Sequence, residues 1–532
     1  MSCRLRPRHG GLALVVAAAV ASTSAPRRAA ASPLFELVGG GQGSGGFNAR
    51  VTGASAASTY FNPALLVDAE QGLELGVFVL TDQISISVDA RSSSPQCPAG
   101  SCNIPEVLGT GPESFRHGDG SKLEQPAVPT SWLERGRPRN DLDDGLTARP
   151  RQGAGSGSHV RGYQMLGLVT PILGRRVVLG LHALIPLSDF TTARAFYNDE
   201  REQYFSNSLH PELYADRLTA TSLAFGAGVC LGPKWSVGAA FTLSLENSAQ
   251  APVYVSNLSN LDTVLLDSDI GVRASVSPHL GVSWKPRKGL GLAATIHTEQ
   301  AFRIQTGFTY FLSTGSEQGA SVDFTHAYMP LQVAVGGTWE TPKLGRHQPM
   351  LAANLVYGRW SQYEDRHSER AHPDYAWFDT LSGTLGLRDR IGKWTAMLDG
   401  NFQPTPVPDQ TGRSNYVDNH RLGFLVGGER EVAIRGARFR FGAQLQLHRL
   451  LARHVTKFAT PDNPQPNPHQ PGFGANYYPQ LVVDEVPDDA VDGQLGDAIP
   501  GRDGLQTNNP GFPGFGSEGW IIGGGFSVAV LY

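Results

Sequence analysis

Gly519-Trp520-Ile521-Ile522-Gly523-Gly524-Gly525-Phe526-Ser527-Val528-Ala529-Val530-Leu531-Tyr532 closes the chain, and its alternation decides the fold. Trp520, Ile522, Phe526, Val528, Val530 and Tyr532 share one face of an extended strand, while Gly523, Gly525, Ser527 and Ala529 share the other. Successive Cβ atoms of a strand point to opposite sides, so this spacing sorts greasy from small or polar side chains. Such a strand suits a membrane-spanning barrel, whose outer face meets hydrocarbon and whose inner face meets a lumen.

Working outward, the same period returns in other segments. Phe439, Phe441, Ala443, Leu445 and Leu447 oppose Arg438, Arg440, Gln444 and Gln446, whose polar groups are expected to face water inside a barrel. Val272, Ala274, Val276, Leu280, Val282 and Trp284 oppose Arg273, Ser275, Ser277, His279, Gly281 and Ser283. The runs 235–246 and 394–403 repeat the pattern with Trp235 and Trp394 at one end, where an interfacial aromatic girdle belongs.

Extending this reading along the chain predicts about fourteen strands, near 73–90, 162–173, 177–190, 218–231, 235–247, 271–285, 289–311, 321–340, 350–363, 378–390, 394–404, 420–432, 437–457 and 519–532. An even number is what a single-chain bacterial barrel requires. Short turns such as Gly232-Pro233-Lys234, Pro286-Arg287-Lys288 and Ile391-Gly392-Lys393 alternate with longer excursions, matching periplasmic turns against extracellular loops. Residues 91–161 and 459–517, rich in Pro, Gly, Asn and Asp, read as irregular extracellular loops. The fold class expected is therefore all-β, a transmembrane antiparallel barrel occupying 73–532.

Arg4, Arg6 and Arg8 precede an apolar run at 12–21 and the small residues Ala29-Ala30-Ala31. That order predicts a signal peptide over 1–31, exported from a Gram-negative cell and cleaved before Ser32. No later stretch has the roughly eighteen consecutive apolar residues of a membrane helix. Residues 32–72 are glycine-rich and weakly periodic, with Gly39-Gly40-Gly41-Gln42-Gly43-Ser44-Gly45-Gly46 near the start. Such a segment makes no core of its own but can fold within a lumen, which predicts a plug.

Other chemistry is sparse. The chain of 532 residues has a formal net charge of -4, with no broad basic field, so nucleic acid is not an expected partner. Cys97 and Cys102 form a close pair that reads either as a small loop disulfide or as two free thiols, and Cys230 reads as a small apolar residue. Gly41, Gly43 and Gly46 match a dinucleotide fingerprint, yet no strand precedes them and no helical pattern follows. Asp141, Asp143 and Asp144, like Asp488, Asp489, Asp492 and Asp497, read as solvated acidic loops, and His367 and His372 lack zinc-protease spacing. No metal and no cofactor are expected. Without a Gly-x-Ser-x-Gly elbow or zinc-ribbon spacing the chain is not expected to be an enzyme, although a hydrolase can place Ser, His and Asp on strand ends invisibly to spacing. A structural or adhesive barrel with a permanently shut lumen is the other alternative.

Four motifs resemble the FadL-type outer-membrane transporters of long-chain fatty acids and aromatic hydrocarbons. They are Asn62-Pro63-Ala64 before the first strand, the strand end Arg359-Trp360-Ser361-Gln362-Tyr363, the loop Thr405-Pro406-Val407-Pro408 followed by Asp418-Asn419-His420-Arg421, and the closing strand to Tyr532. The resemblance implies a monomeric fourteen-stranded barrel whose lumen is closed by an N-terminal hatch over 32–72, with Asn62, Pro63 and Ala64 gating. It implies passive uptake of a hydrophobic small molecule such as a fatty acid, outer-membrane lipid around the wall, and recognition of the terminal Tyr532 strand by the barrel-assembly machinery. Phe35-Glu36-Leu37 is similar to the family's N-terminal Phe-x-Leu, which makes Phe35, with Leu37, the candidate occupant of an inner pocket. By strand parity His297, Glu299 and Arg303 point inward, and Arg303 or Arg440 is expected to pair with a substrate carboxylate, because guanidinium grips carboxylate with two prongs.

Overall fold

Strand pairing fixes everything else in this molecule. The computed structural model describes residues 34–40, 45–53, 55–88, 154–187, 210–211, 213–214, 218, 221–255, 264–266, 269–312, 317–364, 376–409, 416–456 and 514–532. Fourteen barrel strands run in chain order: β1 (Gly72–Val88), β2 (Ala154–Ile172), β3 (Val177–Pro186), β4 (Ser222–Cys230), β5 (Trp235–Val255), β6 (Asp269–Arg287) and β7 (Leu290–His297, resuming as Gln300–Leu312). They continue as β8 (Glu317–Met329, resuming as Gln332–Glu340), β9 (His347–Gly358), β10 (Thr380–Ile391), β11 (Trp394–Gln403), β12 (Arg421–Ile434), β13 (Ala437–Thr456) and β14 (Gly514–Leu531). Strands consecutive in the chain pair antiparallel, and β1 closes the ring on β14 in unbroken register from Gly72↔Leu531 to Val88↔Phe515.

The two faces divide as the period-two reading predicts. Leu75, Val77, Val335, Leu355, Leu398, Val426, Leu445, Ile522 and Phe526 are exposed on the outside, with Leu385 at 71%. Ser277, His279, Ser283, Gln444, Gln446 and Ser527 are buried on the inside. Gln444 and Gln446, expected to face water, instead donate Nε2 to the backbone oxygens of Val38 and Leu37 at 3.4 and 3.2 Å. The interior there is filled by protein.

Several boundaries differ from the sequence reading. β7 and β8, read as continuous, both break. Thr298 turns its amide and its Oγ1 onto the Pro278 oxygen, each at 3.1 Å, and Pro330 brings no N–H to the ladder. Beyond these breaks the outer part of β7 pairs in parallel with β5, Ile304 opposite Asn247. β9 ends at Gly358, so Trp360–Gln362 is a 3-10 turn rather than a strand end. β2 and β14 start at Ala154 and Gly514, inside stretches read as loop, because sparse apolar residues hid their period. Cys230 is disulfide-bonded at the end of β4 and is not merely a small apolar residue. The expected signal peptide, the Cys97–Cys102 pair and the Arg303 side chain lie outside the described residues.

An outward face that meets hydrocarbon makes a definite prediction. Leu385→Arg, in the middle of β10, should cost roughly 2–4 kcal/mol of folding stability in lipid vesicles. Reversible urea unfolding measures it, and the same change on a water-facing surface should cost less than about 0.5 kcal/mol.

Candidate functional site

The candidate site begins with short elements that cannot stand alone. Leu34–Val38 (α1), Ala49–Thr52 (α2), Ser58–Phe61 (α3) and the 3-10 turn Pro63–Asp68 are each too short to be stable as isolated helices. They are ordered by the wall around them. Leu34, Phe35, Leu37, Val38, Tyr60 and Leu66 are among the most completely buried side chains of the protein.

Asn62 starts the 3-10 turn. Its Oδ1 accepts from the Ala64 amide at 3.1 Å, its Nδ2 donates to the Arg50 oxygen at 3.0 Å, and Pro63 follows where a missing N–H costs nothing. The turn lies against bare backbone. A Cβ on Gly238 of β5 would sit 2.2 Å from the Pro63 carbonyl carbon, and one on Gly281 of β6 would sit 2.1 Å from Asn62 Oδ1. Ser236 Oγ donates to the Ala64 oxygen at 2.8 Å, and Lys285 pairs with Asp68 at 2.5 Å.

Two guanidinium clusters tie the segment to two parts of the wall, β7–β8 and β10–β11. Arg50, 3% exposed, bonds Glu36 Oε1 and Gln332 Oε1 at 2.5 Å, Thr295 Oγ1 at 3.2 Å, and shares a 3.1 Å contact with His297 Nε2. Tyr60 donates its hydroxyl to the same Glu36 oxygen at 2.9 Å. Burial, and after it the Glu36 charge, pushes the Tyr60 phenol well above its ordinary range, so it stays a donor. The Phe35 ring lies 4.4 Å from the Tyr60 ring, tilted against it, and stacks 5.1 Å from the His182 ring.

The second cluster is a two-pronged pair, Arg388 Nη1 to Asp399 Oδ1 at 2.6 Å and Nη2 to Oδ2 at 2.9 Å, reaching across β10 and β11. Asp399 also accepts from the Phe47 amide at 2.8 Å and Asn48 Nδ2 at 2.9 Å, while Arg388 Nη2 donates to the Gly45 oxygen at 2.7 Å. Gly46 joins these contacts at φ +52°, a conformation glycine adopts freely. Its role is a close approach to a carboxylate, not a dinucleotide loop.

Between the segment and the wall lies a cavity of about 70 Å³. Leu37, Phe61, Leu213, Tyr214 and Trp360 make its apolar side, and Asn401, Arg421 and His448 its polar side. Arg421, 6% exposed, donates to Gln403 Oε1 and lies 5.7 Å from the Tyr214 ring centroid. Among the described residues no carboxylate lies within 4.0 Å of it. Trp360, Tyr363 and Trp377 pack beside the cavity, the last two stacked at 3.4 Å and 8°. Asp418, also buried, accepts from Thr405 Oγ1 at 2.6 Å. Burial pushes its carboxyl up to about 6, against bonds from Thr405 and the Asn419 amide and the charges of Arg453 and Arg421.

The structure thus brings Phe35, Leu37, Asn62, Pro63, Ala64 and His297 together within the barrel, with Trp360 and Arg421 at the cavity. Tyr363 packs beside the cavity, and Glu299, Arg440, Ser361, Pro406, Pro408 and Tyr532 lie away from it. Glu299 is half-buried at the break in β7. Arg440 is engaged by Glu70 and Glu431, with Glu429 at 4.0 Å, near the opposite end from the cavity, so it is occupied by the protein's own carboxylates. Ser361 donates its amide to Asp379 at 2.9 Å on the surface, Pro406 accepts from the Phe378 amide at 2.7 Å, and Pro408 is buried in the same loop. Tyr532 is exposed, its amide bonded to the Gln71 oxygen at 3.2 Å. The clusters of Arg50 and Arg388 were missed, although strand parity alone places Arg388 and Asp399 on the inner face.

The chain is similar to several solved structures. A Pseudomonas aeruginosa FadL homologue is similar over 94% of this chain and 98% of its own, at 12% identity and a TM-score of 0.49. The Pseudomonas putida toluene transporter TodX is similar over 94% and 99%, at 11% identity and 0.44. The Ralstonia pickettii toluene transporter TbuX is similar over 95% and 100%, at 10% identity and 0.39. No protein-family model matches the chain, and no curated protein does.

Asp399→Asn leaves a buried guanidinium without its counter-charge and should cost about 3–5 kcal/mol; limited proteolysis should cut the 34–53 region faster while the heat-resistant barrel persists. Asp418 gives a pH signature. With its folded pKa raised, its contribution is full below about pH 4, the unfolded value, and is lost as pH rises through about 6. Asp418→Asn should remove that decline in unfolding experiments run across the same window.

Proposed function

We propose that this chain is an outer-membrane channel for passive uptake of hydrophobic small molecules, with the segment 34–69 as a hatch that ligand displaces. The observation that supports it best is the contrast between wall and filling. The wall is a closed ring of paired strands with an apolar exterior, whereas among the described residues the filling is held by side-chain bonds, apolar burial and ring contacts that a ligand can replace. Phe35 occupies the kind of apolar site that a greasy ligand would take. No nucleotide or proton gradient is required, since burial of apolar surface supplies about 25 cal/mol per Å² on entry and the concentration gradient supplies direction.

The substrate assigned is amphipathic, of the long-chain fatty acid type. Arg421 is a buried guanidinium facing an apolar and aromatic wall, an arrangement in which a carboxylate supplies the missing counter-charge and an acyl chain covers the rest. His297, expected to serve the ligand, would act through Arg50.

Proteoliposomes test the reading. The intact protein should take up dodecanoate faster than empty vesicles, and a rate equal to theirs would leave only a structural role. Deleting residues 32–64 should leave a heat-resistant barrel with raised nonspecific permeability, because among the described residues no wall pairing uses that segment. A truncated barrel no leakier than the intact one would sink the hatch. Phe35→Ala should alter dodecanoate affinity in a titration with strand content unchanged; identical binding would remove Phe35 from the ligand's path.

A further inference from the structure

The short-turn end of the barrel is electrically one-sided. Six turns join β2–β3, β4–β5, β6–β7, β8–β9, β10–β11 and β12–β13, and each carries at least one Lys or Arg: Arg175, Lys234, Lys288, Lys343, Lys393 and Arg435 in order. None of the residues between those strands is Asp or Glu, in a chain whose formal net charge is -4. All six named side chains are exposed, and no ion pair within 4.0 Å neutralises any of them among the described residues. Of the acidic groups near this end, Glu340 beside the β8–β9 turn accepts from Gln348 Nε2, and three others are engaged by cations or histidine outside the turns. Asp68 holds Lys285, Glu70 holds Arg438 and Arg440, and Asp389 holds His347.

A second feature lies just inside this ring. Trp235, Trp284, Trp339 and Trp394 all face outward within a few residues of the turns, and all are exposed. Trp235 and Trp284 stack at 5.3 Å and 13° across β5 and β6, and the Arg430 guanidinium sits 4.9 Å from the Trp394 ring centroid. Exposed indoles beside the cations mark the depth where hydrocarbon gives way to headgroups. Flexible Lys and Arg stems one turn farther out reach the phosphate level.

We infer that this ring is a docking belt for anionic phospholipid in the leaflet at the short-turn end, with phosphates held by the turn cations and glycerol–acyl junctions by the tryptophans. A soluble acidic partner would be served by the charges alone. It would leave unexplained why outward-facing indoles adjoin those charges around the wall. The inference takes from the proposed function only that the wall spans a bilayer.

Spin-labelled phosphatidylglycerol and phosphatidylcholine, each added to the full-length barrel in phosphatidylcholine vesicles, report lipid at the perimeter. The motionally restricted fraction should favour phosphatidylglycerol at least about threefold at low salt, and the preference should shrink in about 1 M salt, where screening is short-ranged. Changing Lys234, Lys288, Lys343 and Lys393 to Gln should bring the preference close to unity. A milder variant with only Lys343→Gln and Lys393→Gln should fall between, which guards against a folding failure in the larger set. Equal association of the two lipids with the intact barrel, or a preference untouched by the variants, would overturn the belt. Absence of preference combined with binding of polyglutamate to the detergent-solubilised protein would overturn it in favour of a soluble acidic partner. No restricted fraction for either lipid would instead strike the membrane-spanning reading itself.

Discussion

In hydrocarbon a peptide group has nothing to bond but another peptide group, and this constraint governs the chain. An open sheet would leave two edges of unpaired N–H and C=O groups, each costing several kcal/mol. The pairing of β1 with β14 over the full length of β1 removes both edges at once. The closure also sets the apolar period outside, because every residue lies on one face or the other. The freedom left to evolution is on the inside.

That inside is occupied by a segment held by charge and hydrogen bonds more than by a core of its own. Buried ions persist only when nearly all their donors and acceptors are used, and both guanidinium clusters meet this condition through many partners. Arg50 draws on α1, β7 and β8, while Arg388 and Asp399 draw on β10, β11 and the approach to α2. Segment and wall therefore share each site. Neither cluster is complete without the segment, so its position is defined by these bonds as well as by its continuity with β1.

The period of two made the strand count and the faces legible, as Phe526 outside and Ser527 inside illustrate. It failed where local chemistry outranks the period: at Pro278 and Pro330, which break the ladder, and in Ala154–Ile172, whose early residues are too small and polar to show a face. The segment's glycine content did not announce its bonding. Arg50 and Glu36 lie fourteen residues apart with no spacing that announces them, and Arg388 meets Asp399 only because a two-residue turn folds β10 onto β11. Arg440 and Arg421 looked alike in sequence. What separates them is that Glu70, outside the strands, reaches the first and among the described residues no carboxylate reaches the second.

Where β7 and β8 interrupt their ladders, His297 is the last residue before one gap and Gln332 the first after the other. Arg50 grips both. The hairpin formed by the outer parts of these strands thus departs from the wall at two residues that also bond the inner segment. Any displacement of that hairpin therefore bears on Arg50, one of the two guanidinium groups through which the inner segment meets the wall.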